Sequence, residues 1–170
     1  LEDKVRNNLR FWLYLVGSRL VNRQSRGRAF QVAEQHYDIG NDVFESMLDP
    51  HMNYSCAFWD GAQTLEEAQI AKMQMICAKL RLEPKMQVLD IGCGWGGLAC
   101  WMAQHHGVSV TGVTVSKEQA QLARERCAGL PVTIETRDYR ELEGQFDRIV
   151  SVGMFEHVGP RNYRTFFGKT

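Results

Sequence analysis

The chain has 170 residues, is 44% hydrophobic and balances 20 basic against 20 acidic residues for a net charge of +0. That length buries one sizeable core, and the balance excludes a bulk electrostatic binder of nucleic acid. The charge is unevenly spread, because residues 1–30 hold seven Lys or Arg against two acids, a net of +5 that predicts a partner for this segment.

In chain order, Val5, Leu9, Trp12, Leu13, Val16 and Leu20 recur at helical spacing, with Arg6, Arg10, Arg19 and Arg23 largely off that stripe. Residues 4–22 therefore read as a basic amphipathic helix, which suits packing on the domain or lying on an anionic membrane surface. A polar connector follows to Arg28. The stretches Glu34 to Phe44 and Leu48 to Trp59 have poor periodicity, many aromatics and several polar groups, as a pocket-lining segment does. Thr64-Leu65-Glu66-Glu67 is a capping box, and Leu65, Gln69, Met73, Ile76 and Leu80 continue it as a helix that stops before Pro84. Met73 and Met75 read as core filler.

Val88 to Ile91 is a short apolar strand, and Leu98 to His106 a helix ended by Gly107. Val108 to Val115 alternates as a second strand, Ser116 caps a helix running to about Cys127, Val132 to Thr136 is a third strand and Phe146 to Gly153 a fourth. Pro160 opens a last helix. Strands alternating with helices predict a doubly wound parallel α/β sheet with right-handed crossovers. Residues 1–62 form a helical and loop segment ahead of it, and residues 63–170 the sheet domain.

Between the first strand and its helix, Asp90-Ile91-Gly92-Cys93-Gly94-Trp95-Gly96-Gly97 places glycines at alternate positions, so the backbone turns sharply and approaches a ligand with no Cβ in the way. Gly92, Gly94 and Gly97 also satisfy the dinucleotide pattern, but the acid such a site needs about 20 residues on is replaced by Val113-Thr114-Val115. Asp90 instead lies inside the strand, where a buried carboxylate is costly unless paired. Asp-x-Gly-x-Gly-x-Gly resembles the S-adenosylmethionine loop of class I methyltransferases. A strand order of 3-2-1-4 opens a crevice between the loop after Ile91 and the loop after Val152, which nominates Glu156 and His157 by topology, although an acid and a His there also suit a plain helix start.

Five cysteines (Cys56, Cys77, Cys93, Cys100, Cys127) are odd in number and form no C-x-x-C pair, which predicts free thiols in a reducing, cytosolic compartment. Cys56 reads as a nucleophile or as a small apolar residue with a weak donor. His36, His51, His105, His106 and His157 show no metal-ligand spacing, so no metal is expected, and no G-x-S-x-G elbow is present. No run approaches the roughly 20 apolar residues of a membrane span. The chain lacks an initiator Met and reads as part of something longer.

With these residues assembled, the chain resembles the cyclopropane-fatty-acyl-phospholipid synthases and the related mycolic acid cyclopropane synthases. The resemblance rests on His36-Tyr37-Asp38-Ile39-Gly40-Asn41-Asp42, Tyr54-Ser55-Cys56-Ala57, Asp90 to Gly97, Val113 to Ser116 and Ser151 to Gly159. It implies a Rossmann-like methyltransferase sheet and methylene addition to the cis double bond of an acyl chain in a membrane phospholipid. S-adenosylmethionine is the methyl donor, and a bound bicarbonate deprotonates the carbocation so that the ring closes. By the same resemblance, Tyr54 and Ser55 meet the methionine end of the cofactor, Gly92, Gly94, Trp95 and Gly96 its centre beside Asp90, Thr114 and Gln119 the ribose, and Asp138 and Tyr139 the adenine. Cys56, Glu156 and the backbone at Val152 hold the bicarbonate. Aromatic faces such as Tyr54 or Phe58 steady the cation, and Glu156 accepts the bicarbonate's own O–H.

The resemblance also implies a further N-terminal domain and three more strands beyond Thr170, including a His and a Tyr of the bicarbonate site. Without them the fourth strand is a bare edge that invites a homo-oligomer, and the 170-residue piece is expected to make no cyclopropane. The implied location is the cytoplasm, peripherally on the inner face of the membrane. Another lipid or small-molecule methyltransferase, or a non-catalytic cofactor- or lipid-binding module, are the alternative readings; a nicotinamide oxidoreductase lacks its acid near Thr114.

Overall fold

The computed structural model describes Trp12 and residues 41–170. The expected basic helix over 4–22, except Trp12, and the His36 to Gly40 stretch lie outside the described residues. Among the described residues the sheet has four parallel strands, β1 (Gln87–Ile91), β2 (Ser109–Thr114), β3 (Val132–Thr136) and β4 (Arg148–Val150), in the order β3-β2-β1-β4. The reversal between β1 and β4 is the expected one. Leu89 of β1 sits opposite Thr111 of β2 and Ile149 of β4, so β1 is interior and carries hydrogen bonds on both edges.

The helices are α1 (Asn41–Met47), α2 (Leu65–Leu80), α3 (Gly97–His106), α4 (Lys117–Arg126) and α5 (Tyr163–Phe167). The α2 capping box forms as its sequence predicts, with the Thr64 side chain accepting from Glu67 N–H and the Glu67 carboxylate accepting from Thr64 N–H. Ser116 caps α4 through Gln119 N–H, and Gly107 ends α3 in the left-handed conformation.

Strand period two divides the core. Val88 and Val110 pack with Met73 and Cys77 of α2 and Met102 of α3, while Leu89, Ile91 and Val113 join Leu142, Val158 and Phe166 on the opposite face. Met73 is fully buried core, as its spacing predicts.

Three expectations are corrected. Asn41–Met47 is a helix where the sequence read as irregular, and its Phe44 is buried against Trp95, with ring centroids 4.6 Å apart. Tertiary packing of one aromatic side chain outweighs the weak helical pattern of NDVFESM. β4 is three residues rather than eight: Ser151 turns its hydroxyl to Ile91 C=O at 2.8 Å, and Gly153 takes φ +68°, so the chain leaves the ladder after Val150. Finally, Cys100 and Cys127 form a disulfide, while Cys56, Cys77 and Cys93 are free thiols. Cys100 on α3 faces Cys127 at the end of α4 with Cα atoms 5.6 Å apart, a juxtaposition that a spacing of 27 residues does not announce.

The connection from α1 to α2 is gripped from several sides. The buried Asp49 carboxylate accepts from His51 N–H, Asn53 N–H and the Asn53 amide, and within this knot Met52 is held at φ +57°, an unusual conformation for a side-chain-bearing residue. Arg126 of α4 donates to Pro50 C=O at 2.7 Å. At the start of α3 the His51 carbonyl lies so close to Gly97 that a Cβ there would sit 2.1 Å from its oxygen. Gly97→Ala is expected to destabilise the protein by roughly 1–3 kcal/mol, because two backbones must separate; denaturant unfolding would measure it, and an unchanged midpoint would contradict the contact.

Candidate cofactor and substrate site

A cavity of about 460 Å³ opens at the carboxyl ends of the strands, at the switch point between β1 and β4. Its floor is the glycine loop. Gly94 adopts φ +54°, and a Cβ built there meets no protein atom within 4 Å, so its backbone faces open space. Trp95 is buried and donates from its indole N–H to the Asn41 side-chain carbonyl at 2.8 Å, which ties the loop to α1.

One wall is the segment Met52 to Ser55. Two side chains one turn apart on α2 hold it: the Gln69 amide donates to Asn53 C=O at 3.2 Å and Ser55 C=O at 3.0 Å, and the Lys72 ammonium donates to the Ser55 hydroxyl at 2.7 Å. Tyr54 lines the same wall with its ring largely exposed.

The opposite wall comes from the ends of β2 and β3. Thr114 donates its hydroxyl to the Gln119 side-chain carbonyl at 2.9 Å, and both residues are buried. Asp138 accepts from Arg140 N–H at 2.9 Å and from its guanidinium Nε at 2.8 Å, so this carboxylate orders the turn at Tyr139–Glu141. Beside it the buried Tyr139 hydroxyl has no hydrogen-bond partner among the described residues. Val152, Met154 and His157 close the side beyond β4.

Asp90 lies directly beneath the loop and is 2% exposed. Burial alone raises its carboxyl from 3.8 to about 7. Burial also lowers Lys72, against the raising influence of Asp49 and Cys56.

The structure thus brings Tyr54, Ser55, Gly92, Gly94, Trp95, Thr114 and Gln119 together around one cavity, with Asp138, Tyr139 and Val152 completing it. Asp90 sits behind the wall, and Gly96 caps α3 at φ +82° rather than facing the cavity. Cys56 and Glu156 are both exposed and outside the lining, whereas His157, one residue on, is in it. Sequence reading missed Lys72 and Gln69 as site residues. The available signal was a Lys at the third position after Gln69 and the fourth before Ile76, on the buried stripe of α2, where a lysine has no reason to be unless something holds its charge.

The comparisons agree with this geometry. The chain is 60% identical over 167 residues to a cyclopropane-fatty-acyl-phospholipid synthase of Escherichia coli (strain K12), covering 98% of this chain and 44% of that protein. It is 39% identical over 143 residues to cyclopropane mycolic acid synthase 1 of Mycobacterium tuberculosis, covering 81% of this chain and 50% of the relative. The chain therefore spans about half the length of the curated relatives it matches. A crystal structure of a mycolic acid cyclopropane synthase complexed with SAH and CTAB superposes with a TM-score of 0.79 at 38% identity, over 82% of this chain and 51% of that one. Coclaurine N-methyltransferase bound to N-methylheliamine and SAH superposes with a TM-score of 0.66 at 28% identity, over 72% of this chain and 38% of that one. The family model described as mycolic acid cyclopropane synthetase matches residues 24–170, and with a sheet, glycine loop and cavity of the matching kind, this chain belongs to that family.

Proposed function

We propose that the protein binds S-adenosylmethionine in the cavity above β1 and transfers a methylene group to the cis double bond of an unsaturated acyl chain in a membrane phospholipid. The observation that carries the reading is the cavity itself. One floor of bare backbone at Gly94, one wall with hydroxyl and amide groups at Thr114 and Gln119, and one end with the Lys72 ammonium and the Ser55 hydroxyl match a ligand with an adenosine at one side and a charged amino-acid end at the other. The orphaned Tyr139 hydroxyl is a buried polar group in the lining that such a ligand would satisfy.

When bound, the cofactor supplies an electrophilic methyl group. The residues of this chain contribute alignment and dryness, because an alkene is a weak nucleophile and water reaching a carbocation gives an alcohol. Ile76, Ile91, Leu98 and Val158 supply apolar lining. Tyr54 presents an aromatic face at the opening, suited to a developing positive charge. A bicarbonate base held by Cys56, Glu156 and the Val152 backbone belongs to this proposal. So does action at the inner face of the membrane, supported by the basic balance of residues 1–30 and the exposed aromatics Phe58 and Trp59. Among the described residues no helix is long and apolar enough to cross a membrane.

Mass spectrometry of unsaturated phospholipid vesicles incubated with the whole protein and cofactor tests the reaction. A gain of one CH₂ that resists hydrogenation supports it, and methylation of a head group or no change at all contradicts it.

Two variants test the site. Gly94→Ala puts a methyl into the space reserved for ligand, so cofactor affinity measured by calorimetry should fall at least about tenfold while the protein stays folded, since a non-Gly residue at positive φ costs only about 1–2 kcal/mol. The second variant is Asp90→Asn. The Asp90 carboxyl titrates near 7 in the fold and near 3.8 unfolded, so the fold favours its protonated form; that stabilisation is complete below pH 4 and lost as pH rises through about 7. Asp90→Asn should therefore raise the ligand-free unfolding free energy at pH 8, by a few kcal/mol at most at about 1.4 kcal/mol per pH unit, lose that advantage at pH 4, and bind the cofactor more weakly. A gain independent of pH would contradict the buried ionisation.

A further inference from the structure

Lys72 is a buried cation at the charged end of the cavity wall. It is 6% exposed and lines the cavity. An ammonium carries three donors, and a single acceptor, the Ser55 hydroxyl at 2.7 Å, meets it among the described residues. Asp49, the acid nearest in its electrostatics, has its carboxylate committed to three N–H groups of His51 and Asn53. The lysine is held rather than floppy: Gln69, one turn earlier on α2, fixes the Ser55 carbonyl while Lys72 fixes its hydroxyl. A Cβ on Gly153 would lie 3.5 Å from Ser55 Cβ, so the ammonium stands at the end where the Ser55 segment packs against the loop after β4.

We infer that Lys72 is an anion anchor, its ammonium, positioned by Ser55, taking a carboxylate-type oxyanion in the cavity. Two sources have this chemistry: the α-carboxylate at the amino-acid end of S-adenosylmethionine, and bicarbonate. The inference rests on the proposed cofactor site and adds to it the group that neutralises its negative end. A buried cation with spare donors is costly without an anion, and a charge-assisted contact made there is correspondingly strong. Lysine serves as a point charge where planar bidentate geometry is not required.

The test is calorimetry with S-adenosylmethionine and with its decarboxylated analogue, on the parent protein and on Lys72→Met, with Ser55→Ala as a milder variant that keeps the charge but frees it. Thermal melting checks that each variant is folded. If the anchor holds the cofactor carboxylate, the parent prefers the carboxylated ligand by about 10- to 100-fold, Lys72→Met loses that preference, and Ser55→Ala reduces it. If it holds bicarbonate, cofactor affinity is unmoved and the bicarbonate concentration for half-maximal turnover rises by a similar factor in Lys72→Met. Equal treatment of the two ligands by parent and variant, with unchanged bicarbonate dependence, overturns the inference. Should Lys72→Met not fold, a parent that fails to distinguish the two ligands and shows no bicarbonate dependence overturns it as well. A parent that binds no S-adenosylmethionine at all contradicts the proposed function instead, so the two failures are distinguishable.

Discussion

The site depends on two backbones lying in direct contact. The His51 carbonyl rests against Gly97 so closely that no side chain fits between them, and this contact seats the segment from Asp49 to Ser55 on the glycine loop. Everything on one wall of the cavity follows from it. Asp49 folds the segment, Trp95 and Phe44 cover its flank, and Gln69 and Lys72 of α2 pull Asn53 and Ser55 against the opening. A parallel sheet by itself provides only the crevice at the switch point. The added segment turns the crevice into a cavity with an enclosed, charged end.

Polarity inside that cavity is arranged by distance from water. Asp90 and Lys72 are both buried, and burial pushes each toward its neutral form. In the absence of ligand both are a cost to the fold, and at Lys72, which lines the cavity, the cost is of the kind that binding sites keep because the ligand relieves it. Asp138 shows the opposite case: its carboxylate is already satisfied by Arg140, so it shapes the wall and is not waiting for a charge. Three acids and bases within one cavity region thus have different tasks, set by whether a partner is present in the protein.

Much of this was legible in the sequence where a local rule acts alone. The capping box at Thr64, the Ser116 cap, the glycine at the end of α3 and the parallel sheet of alternating strands and helices all follow from short-range chemistry and the handedness of crossovers. The glycine loop was legible because three glycines at alternate positions after an apolar strand let the backbone turn sharply and meet a ligand. What was not legible depends on partners distant in sequence. α1 forms because Phe44 finds Trp95, which is 51 positions away. The Cys100–Cys127 disulfide requires two helices to converge, and β4 ends early because Ser151 bonds to Ile91. Lys72 was hidden for the same reason, since only the fold reveals that it meets Ser55. The roles of Cys56 and Glu156 came from resemblance rather than from spacing, and both side chains lie exposed beside the cavity.

In the proposed binding mode one ligand spans the cavity from the Tyr139 wall to Ser55, over the backbone of Gly94. A crystal structure of the protein with S-adenosylhomocysteine tests this most directly. The expected result is the adenine beside Tyr139, the ribose at Thr114 and Gln119, and the amino-acid end over the glycine loop with its carboxylate toward Ser55. Ligand bound outside this cavity, or in it with the adenine at the Ser55 end, would contradict it.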